Sequence, residues 1–354
     1  MKIECIQITI KGIKFYFDIS VFMSKNSPTT SVLKIGTQIK DFGITDHIGS
    51  GGYAEVYELS NTKNEIYAMK MEEYRPKRSG LDHEIKVLHF LPKLGCFPEA
   101  IRGGFYEGNR QYMIMKMYGP SLYDVYRAHK RHFDETAAFH VGLQMLTILE
   151  KLHSLGVMHW DIKPSNFLLN MDEEYPLVLI DFGCASKIRP DGFQWNTIIG
   201  TTRYASINNH KLKTIGLADE MICWFFSVLE LVSSKPLPWS LMKSAASILK
   251  CKESYKFRNY LGDSYNFIKM YEYLKNLKSN EIPCYEYLRI LMIEEMKRRD
   301  ISTEFNWLEF VEKETLFVYH IKKKDTSKFN FRTSDESPQS KETVSKSSES
   351  DHCS

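Results

Sequence analysis

Four polar residues close together are the strongest chemical signal in the sequence. The segment VMHWDIKPSNFLL, residues 157–169, carries His159, Asp161, Lys163 and Asn166. Its central proline and apolar ends predict a loop between two short buried strands. The set suits phosphoryl transfer to a hydroxyl, with Asp161 accepting the proton, Lys163 offsetting phosphate charge and Asn166 giving an oxygen to Mg²⁺. A polar surface loop with a buried histidine is the plainer alternative, so the flanking chain must decide.

A second Mg²⁺ ligand is predicted at Asp181. The stretch PLVLIDFGCAS reads as a buried strand that runs into Asp181-Phe182-Gly183. Asp181 would bind the Mg²⁺ that bridges the phosphates, and Gly183 would allow the chain to turn away. A DFG tripeptide alone occurs by chance, so the prediction depends on its position after the first loop.

A glycine-rich turn nearer the N-terminus is suited to phosphate binding. The stretch IGSGGYAEVYELSNTKNEIYAMKMEEY reads as two β-strands joined by this turn, followed by a further strand that contains Lys70. Gly49, Gly51 and Gly52 would let backbone N–H groups approach phosphates, because a side chain there would clash. Most such turns are only hairpins, and the lysine that follows in order strengthens the interpretation.

Lys70 needs a carboxylate partner to hold it against the α- and β-phosphates. The stretch SGLDHEIKVLHFLPKLG predicts a helix that Ser79 caps and Pro92 stops. Glu84 lies in the first turns of this helix and is the predicted partner. Two solvated surface charges are the alternative, and the place of both residues in the ordered set favours the pair.

The stretch RQYMIMKMYGPSLYDVY predicts a hinge between two lobes. An apolar strand leads into Gly119-Pro120. Met115 would line the back of an adenine pocket, and the backbone of 116–118 would offer hydrogen bonds to a purine edge. The stretch DETAAFHVGLQMLTILEKLHSLG then reads as an amphipathic helix capped by Asp134, in which we assign His140 and His153 to core packing and to no chemical role.

Composition excludes several classes of protein. The chain of 354 residues has a formal charge of +3, which by itself implies neither nucleic-acid nor membrane binding. Seven scattered cysteines indicate a reducing compartment. Apolar runs stay short of the roughly 18 to 20 residues of a membrane helix, and charges interrupt the N-terminal apolar residues. A cytoplasmic protein is predicted, with the nucleus as an alternative.

In this order the motifs resemble those of a eukaryotic Ser/Thr protein kinase over about residues 40–313. Val56 and Ala68-Met69-Lys70 fit the glycine-rich and strand-lysine motifs, although Ala54 replaces the third glycine. The stretches HWDIKPSNFLL, LIDFGCAS, GTTRYASINNH and LPW are similar to the casein kinase I group, and especially to its tau-tubulin kinase relatives. The GTxRYASIN pattern is highly specific to that group.

The resemblance implies an α+β, two-lobed kinase fold with a β-rich N-lobe containing one helix, a helical C-lobe, and ATP with Mg²⁺ between them. The kinase domain would span 37–313, after an N-terminal extension at 1–36 and before a largely disordered tail at 314–354. The implied catalytic residues are Asp161, Lys163, Asn166, Lys70 and Glu84, and the Mg²⁺ ligands are Asn166 and Asp181. The implied nucleotide contacts are Ile48, Gly49, Ser50, Gly51, Gly52, Val56, Ala68, Lys70, Met115, Met117 and Leu168.

Two departures from the group bear on activity. The group usually has Arg between the catalytic His and Asp, and here Trp160 stands in that place. An Arg can pair with a phosphate on the activation loop and an indole cannot, so we expect that phosphorylation does not switch this protein. The group's buried helix Asp, which binds the catalytic loop, falls on Glu220, with Asp219 out of register. The sequence leaves open whether Glu220 reaches the loop.

By family analogy Arg203, Lys235 and Lys243 could bind a phosphate on a primed or acidic protein substrate, because cations bind phosphate through charge-assisted hydrogen bonds. Three solvated cations are the alternative. We expect a monomer that acts on protein substrates and binds neither nucleic acid nor membrane.

The two ends of the chain have different patterns. Alternating apolar residues within 1–20 predict a hairpin, and Met23 could be an alternative start of the chain. From about Ile321 the chain is rich in Lys, Ser and Glu, which predicts disorder because little apolar surface is available for burial.

Two other functions stay open at this point. A pseudokinase that serves as a scaffold is suggested by Trp160 and Glu220, but Lys70, Asp161 and Asp181 are all present. A small-molecule phosphotransferase can share the Asp and Asn of the loop, and the GTTRYASIN segment and Lys163 argue against it.

Overall fold

The structure is a computed structural model, and it describes residues 6–10, 13–17, 32–50, 54–73, 80–172, 174–233, 235–255 and 264–330. For 6–10, 13–17 and 322–330 only the backbone is described. Ile6–Ile10 (β1) and Ile13–Phe17 (β2) pair antiparallel, with Ile10 opposite Ile13. The strands of the predicted N-terminal hairpin are therefore present, and its turn at 11–12 lies outside the described residues.

A six-stranded antiparallel sheet forms the N-lobe. Its strands are Gln38–Ile39 (β3), Phe42–Ser50 (β4), Ala54–Asn61 (β5), Ile66–Glu73 (β6), Ala100–Tyr106 (β7) and Arg110–Lys116 (β8). Their spatial order is β3-β4-β5-β6-β8-β7. The alternating apolar residues Tyr57, Leu59, Met69 and Met71 are fully buried on one face, as a period-two pattern requires.

One helix, Gly80–Phe90 (α1), belongs to this lobe. It buries Leu81, Glu84 and Leu88, which share a face because they are three and four residues apart. The helix ends before Pro92 as predicted, and its predicted capping residue Ser79 lies outside the described part of the chain. A carboxylate buried in an otherwise apolar stripe must have a partner, and that partner is in the sheet.

The C-lobe is helical and is built around two buried helices, Glu135–Ser154 (α3) and Leu217–Val232 (α5). Residues 217–231 of α5 are all buried, which agrees with a sequence that is apolar on every side. The other helices are Leu122–Ala128 (α2), Ile207–His210 (α4), Ala245–Ser254 (α6), Tyr265–Asn276 (α7), Tyr285–Arg298 (α8) and Trp307–Asn330 (α9). The predicted α+β architecture, with a β-rich N-lobe that contains one helix and a helical C-lobe, is confirmed.

Short strands frame the two loops predicted to do the chemistry. Val157–Met158 (β9) pairs with Ser186–Lys187 (β12), and Phe167–Leu169 (β10) pairs with Leu177–Leu179 (β11). The apolar flanks of the VMHWDIKPSNFLL loop are therefore strands, as predicted. The pairing fixes this loop beside the segment that carries Asp181.

The C-terminal part of the chain departs from the prediction. A tail was expected from residue 314 and disorder from about 321, but α9 continues without a break to Asn330. Phe310, Val311 and Val318 are buried and attach this helix to the lobe. The predicted domain boundary at 313 therefore falls within α9, and residues 331–354 lie outside the described chain. Among the described residues, no helix is long and apolar enough to cross a membrane.

Candidate active site

Lys70 joins two carboxylates at the boundary between the lobes. Its Nζ donates to Glu84 Oε2 and to Asp181 Oδ1, each at 2.7 Å. Strand β6 supplies the lysine, α1 supplies Glu84 and the DFG segment supplies Asp181. The structure therefore brings three of the predicted residues into one ion network.

Burial decides the electrostatics of this network. Burial alone would lower the pKa of Lys70, but Glu84 and Asp181 outweigh it and raise the pKa above its usual value. Burial would raise the pKa of Asp181, and the nearby Lys70 ammonium instead holds it below its usual value. Lys70 is thus a fixed cation and Asp181 a fixed anion at neutral pH, as phosphate and metal binding require.

Asp181 has a left-handed backbone, with φ at 71°. This conformation is unusual for a residue with a side chain and marks strain at functional sites. We expected Gly183 to make the turn, but Gly183 lies in a 3₁₀ turn over Phe182–Cys184 without a positive φ. The turn is therefore made two residues earlier than predicted. Burial raises the pKa of the neighbouring Cys184 thiol to about 11, which agrees with a structural role.

The Asp161 carboxylate is held on both of its oxygens. Oδ2 accepts from Lys163 Nζ at 2.6 Å, and Oδ1 accepts from Thr201 N at 2.8 Å and from Thr201 Oγ1 at 2.7 Å. Asn166 Nδ2 donates to the backbone oxygen of Asp161 at 2.9 Å. Asp161, Lys163 and Asn166 therefore form one cluster, as their spacing predicts. Thr201 was missed, although it lies in the group-specific GTTRYASIN stretch.

Gly200 explains how Thr201 can approach so closely. Its φ is +74°, and a Cβ atom there would lie 2.2 Å from Trp160 O and 3.2 Å from Asp161 Oδ1. A contact of 2.2 Å to a backbone atom cannot be relieved by moving a flexible side chain. Only glycine fits, and its absence of a side chain lets the two segments touch.

Glu220 reaches the catalytic loop, which the sequence left open. Its Oε1 accepts from His159 N at 2.8 Å and also from Trp160 N. Its Oε2 lies 2.5 Å from Nε2 of His153, whose Nδ1 lies 2.5 Å from the hydroxyl of Tyr285. His153 was assigned to packing only, and the structure corrects this because the ring fixes the carboxylate that binds the loop.

Trp160 has a positive φ of 68°, so the loop needs outside support where it passes this residue. Its indole is buried with Met158, Phe193, Ile215 and Leu217, with Trp195 packed against them, and these six residues are called the Trp160 cluster below. The indole Nε1 donates to Ser186 Oγ at 2.8 Å. Aromatic contacts therefore join the catalytic loop to residues 186–195.

Asp219, out of register as predicted, has a different task. It accepts from Ser206 Oγ at 2.6 Å and from Gly216 N at 2.9 Å. It therefore ties the start of α5 to the segment that ends at Ser206.

A cavity of about 670 Å³ lies between the lobes, within the usual range for ligand pockets. Strand register explains part of its wall, because Val56 pairs with Lys70 and Ala68 pairs with both Glu58 and Met115. Gly51 and Gly52 lie outside the described residues. The other predicted nucleotide contacts all line the cavity, namely Ile48, Gly49, Ser50, Val56, Ala68, Lys70, Met115, Met117 and Leu168.

The two strands that flank the glycine-rich turn are joined by Glu55, which the sequence analysis missed. Its Oε2 accepts from Ser50 Oγ at 2.6 Å and lies 2.6 Å from His47 Nε2. Glu55 is buried, so these contacts satisfy its carboxylate. No local motif predicts this bridge, because its members are separated by the turn.

The predicted phosphate pocket for a substrate is only partly assembled. The Arg203 guanidinium donates to Glu230 Oε1 at 3.2 Å and to Ser240 O at 3.0 Å, so its charge is already partnered inside the protein. Lys235 and Lys243 are exposed. A cation that the sequence did not single out, Lys252, is buried and donates to Thr202 O at 2.9 Å and to Ala205 O at 2.6 Å.

Asn166 and Asp181 fit the needs of Mg²⁺. Both line the cavity, and together they offer one amide oxygen and one carboxylate. Mg²⁺ prefers oxygen ligands and is often held by one or two carboxylates together with the phosphates of a nucleotide. The donation of Asn166 Nδ2 to Asp161 O fixes the amide, so that its oxygen is the free end.

Comparison with known proteins agrees with this geometry. The family model described as the protein kinase domain matches residues 42–299, which is more than half of the chain. The chain belongs to the protein kinase family. In protein kinases the activation segment follows the DFG motif. We use this term below for residues 182–206 of this chain, which include Phe193, Gly200 and Thr201.

Two of three curated relatives are named as casein kinase I homologues, in agreement with the resemblance to that group, and the third is named as a serine/threonine-protein kinase. A probable casein kinase I homologue of Encephalitozoon cuniculi is 29% identical over 72% of this kinase and 85% of its own length. A probable serine/threonine-protein kinase of Dictyostelium discoideum is 30% identical over 75% of this chain and 56% of its own. A casein kinase I homologue of Kluyveromyces lactis is 28% identical over 76% of this chain and 53% of its own length. The kinase thus spans about half the length of the last two. The tau-tubulin kinase branch stays a prediction.

Proposed function

We propose that this kinase is catalytically competent and transfers the γ-phosphate of ATP to Ser or Thr hydroxyls of protein substrates. The observation that carries the proposal is the Lys70 ammonium at 2.7 Å from both Glu84 and Asp181. This arrangement requires the helix, the sheet and the DFG segment to be in register at once. It is the arrangement that kinases need for phosphoryl transfer.

Each residue of the cluster has a defined task in this reaction. The substrate oxygen forms a bond to the γ-phosphorus while the bond to the β–γ bridging oxygen breaks, and the hydroxyl proton goes to Asp161. Lys163, at 2.6 Å from Asp161 Oδ2, offsets negative charge on the transferring group. Lys70 fixes the α- and β-phosphates. Mg²⁺, held by Asn166 and Asp181, would neutralise phosphate charge.

Thr201 acts as a positioning residue for Asp161. It donates twice to Oδ1, which orients the carboxylate and leaves Oδ2 beside Lys163. Such orientation matters because general-base catalysis depends on hydrogen-bond reach to the substrate hydroxyl. The Gly200–Thr201 pair therefore couples the activation segment directly to the catalytic base.

The contacts of Glu220 support competence over the pseudokinase alternative. The pseudokinase alternative depends on Glu220, whose side chain is one methylene longer than the group's aspartate, failing to bind the loop. Its carboxylate accepts the N–H groups of His159 and Trp160, and His153 fixes its other oxygen. The loop's buried donors are thus satisfied, and each unsatisfied donor would cost about 1 to 3 kcal/mol.

The proposal is tested by incubating the purified chain with Mg·ATP and an array of Ser, Thr and Tyr peptides beside Asp161→Asn. We expect phosphate on Ser or Thr peptides with the unmutated chain and a fall of about 10²-fold or more with the variant. Absence of transfer by the unmutated chain, with nucleotide binding retained, would support the scaffold function instead.

Acidic or phosphate-primed protein substrates are part of the proposal. Their recognition would use the exposed Lys235 and Lys243, with Arg203 shared between Glu230 and an incoming phosphate. The test compares Arg203→Ala on matched phosphorylated and unphosphorylated peptides. A loss confined to the phosphorylated peptide supports the pocket, and an equal loss on both peptides contradicts it.

A further inference from the structure

The C-terminal helix α9 forms part of the wall of the nucleotide cavity. Thr315, Val318 and Tyr319 line it together with the hinge residues. They lie beyond the end of the predicted kinase domain at 313, in a stretch that the sequence assigned to a tail. None of the motifs used to predict the nucleotide contacts includes them.

Helical geometry explains why these three residues act together. They are separated by three and four positions, so they share one face of α9. Val318 is buried, whereas Thr315 and Tyr319 are half-buried at the edge of the cavity. Leu316 lies on the exposed side of the same turn, with 38% of its surface accessible. One side of the helix thus faces a ligand site and the other faces solvent.

Specific contacts fix α9 to the hinge side of the C-lobe. Glu314 Oε2 lies 2.6 Å from His129 Nε2, and the His129 ring stacks on Phe317 with a centroid distance of 4.3 Å. Glu314 is itself buried. His129 directly follows α2, which begins at the hinge, so the helix is attached close to the cavity mouth.

Gly119 shows how closely α9 approaches the hinge. A Cβ atom at this position would lie 3.1 Å from Leu169 O and 3.2 Å from Thr315 Oγ1. These distances are tighter than ordinary van der Waals contact. The absence of a side chain at Gly119 therefore lets the hinge, β10 and α9 meet at one point.

We propose that α9 is part of the nucleotide-binding site, and that its Thr315–Tyr319 face holds the sugar and base of bound ATP. The inference rests on the proposed function and adds a binding element to the same site. The two hydroxyls of this face suit the hydroxyls of a ribose, and the valine suits the edge of a base. The phosphates are held elsewhere, by Lys70 and the glycine-rich turn.

Because α9 and Lys70 would contact different parts of the nucleotide, binding measurements can distinguish their contributions. Loss of the α9 contacts should weaken the binding of ATP, ADP and adenosine by the same factor, because all three ligands share the sugar and the base. Loss of Lys70 should weaken the binding of ATP and ADP but leave the affinity for adenosine nearly unchanged. Equal weakening across the three ligands is therefore the signature of the α9 wall.

The experiment uses the full chain with the double variant Thr315→Val/Tyr319→Phe, which removes both hydroxyls and keeps the packing volume. Leu316→Ala is the matched control on the exposed side. Calorimetric titration with ATP, ADP and adenosine should give dissociation constants raised about 5- to 20-fold for the double variant, since a hydrogen bond contributes about 2- to 10-fold. The control should stay within about twofold.

Tyr319→Ala extends the test by removing the ring as well, with the melting temperature measured to establish that the chain is folded. We expect a larger loss of affinity for all three ligands than with the double variant. Unchanged affinity in the folded double variant would overturn the proposal, as would an equal loss in Leu316→Ala. Because binding is measured without turnover, failure of the kinase assay would leave this result readable.

Discussion

The nucleotide side and the activation-segment side of this active site are stabilised by different kinds of contact. On the nucleotide side, Lys70, Glu84 and Asp181 form a partly buried ion network with two contacts of 2.7 Å. On the other side, the Trp160 cluster packs aromatic rings, with Trp160 and Phe193 centroids 5.2 Å apart. The first side must present charges to phosphates, whereas the second needs only to order a segment.

This difference explains how the chain can lack the group's usual arginine. An arginine beside the catalytic Asp stabilises the activation segment when a phosphate is present on it. We propose that apolar burial and the bond from Trp160 Nε1 to Ser186 Oγ at 2.8 Å take the place of that ion pair. Apolar contacts need no modification, so the segment is ordered by the sequence itself.

The largest expected effect comes from breaking the ionic side. Lys70→Met removes the cation between two carboxylates, and we expect kcat/KM to fall about 10²- to 10³-fold, as on loss of one preorganised donor to the reacting group. The rate of phosphate transfer to a peptide measures it. Lys86→Met, which removes an exposed lysine on α1, is the control, and an equal loss there would contradict the assignment.

Next in size is the effect of removing the carboxylate that joins the two sides. Glu220→Ala leaves the N–H groups of His159 and Trp160 without their acceptor, and we expect a loss of about 3 kcal/mol in the free energy of unfolding. Urea denaturation gives this value. Glu220→Asp should cost less, about 1 to 2 kcal/mol, because the shorter side chain reaches the loop poorly. A stability equal to that of the unmutated chain in both variants would show that the loop does not need this support.

The aromatic side can be tested by restoring the group's residue. Trp160→Arg places a cation in an apolar cluster without a phosphate partner, and we expect a loss of about 2 to 3 kcal/mol in the free energy of unfolding together with lower kcat. Trp160→Phe should keep most of the packing and lose about 1 kcal/mol. If the arginine variant were as stable and active as the unmutated chain, the cluster would not be what orders the segment.

The smallest expected effect is a pH dependence of stability that comes from the buried carboxyl of Glu58. It contrasts with Glu84, a buried carboxyl that contacts a lysine. Glu84 has Lys70, whereas Glu58 is buried with Thr45 Oγ1 at 2.6 Å and no lysine, and burial raises its pKa to about 7. The folded pKa lies above the unfolded value near 4.5, so the contribution of Glu58 to stability is greatest below pH 4.5 and declines as pH rises towards 7.

The slope of this decline is at most about 1.4 kcal/mol per pH unit. Glu58→Gln should remove it, which denaturation at pH 5, 6 and 7 would measure as the difference between the two proteins. Glu65→Gln, at an exposed carboxyl in the turn between β5 and β6, should leave the slope in place. A slope that persists in Glu58→Gln would mean that other groups cause it.

The sequence predicted most of the ionic side because its residues occur in a fixed order with strong local patterns. Lys70 follows a glycine-rich turn in a strand, and Glu84 lies in the first turns of a capped helix. Thr201 and His153 could not be predicted as site residues, since their roles depend on contacts between distant segments. Glu220 is one methylene longer than the aspartate usual at this position. Whether its carboxylate meets the loop N–H groups depends on three-dimensional distances that spacing along the chain does not give.

A helix was expected at FNWLEF, residues 305–310, but its continuation past 313 was missed, for a different reason. The composition after Ile321 is polar, and a polar stretch cannot order itself by burying apolar surface. The helix α9 begins earlier, however, and buries Phe310, Val311 and Val318, so its later turns continue from an anchored start. Propagation of a helix costs less than its nucleation, so the helix continues beyond Val318, the last of these buried residues.

A phosphatase experiment asks whether the chain assembles its own active site without a phosphate on the activation segment. The purified protein is treated with a phosphatase, the phosphatase is removed, and the first turnover with labelled Mg·ATP and a Ser/Thr peptide is followed beside Asp161→Asn. We expect transfer at an unchanged rate by the treated chain and a rate at least about 10²-fold lower in the variant. Loss of activity on phosphatase treatment, restored by rephosphorylation of residues 182–206, would contradict it.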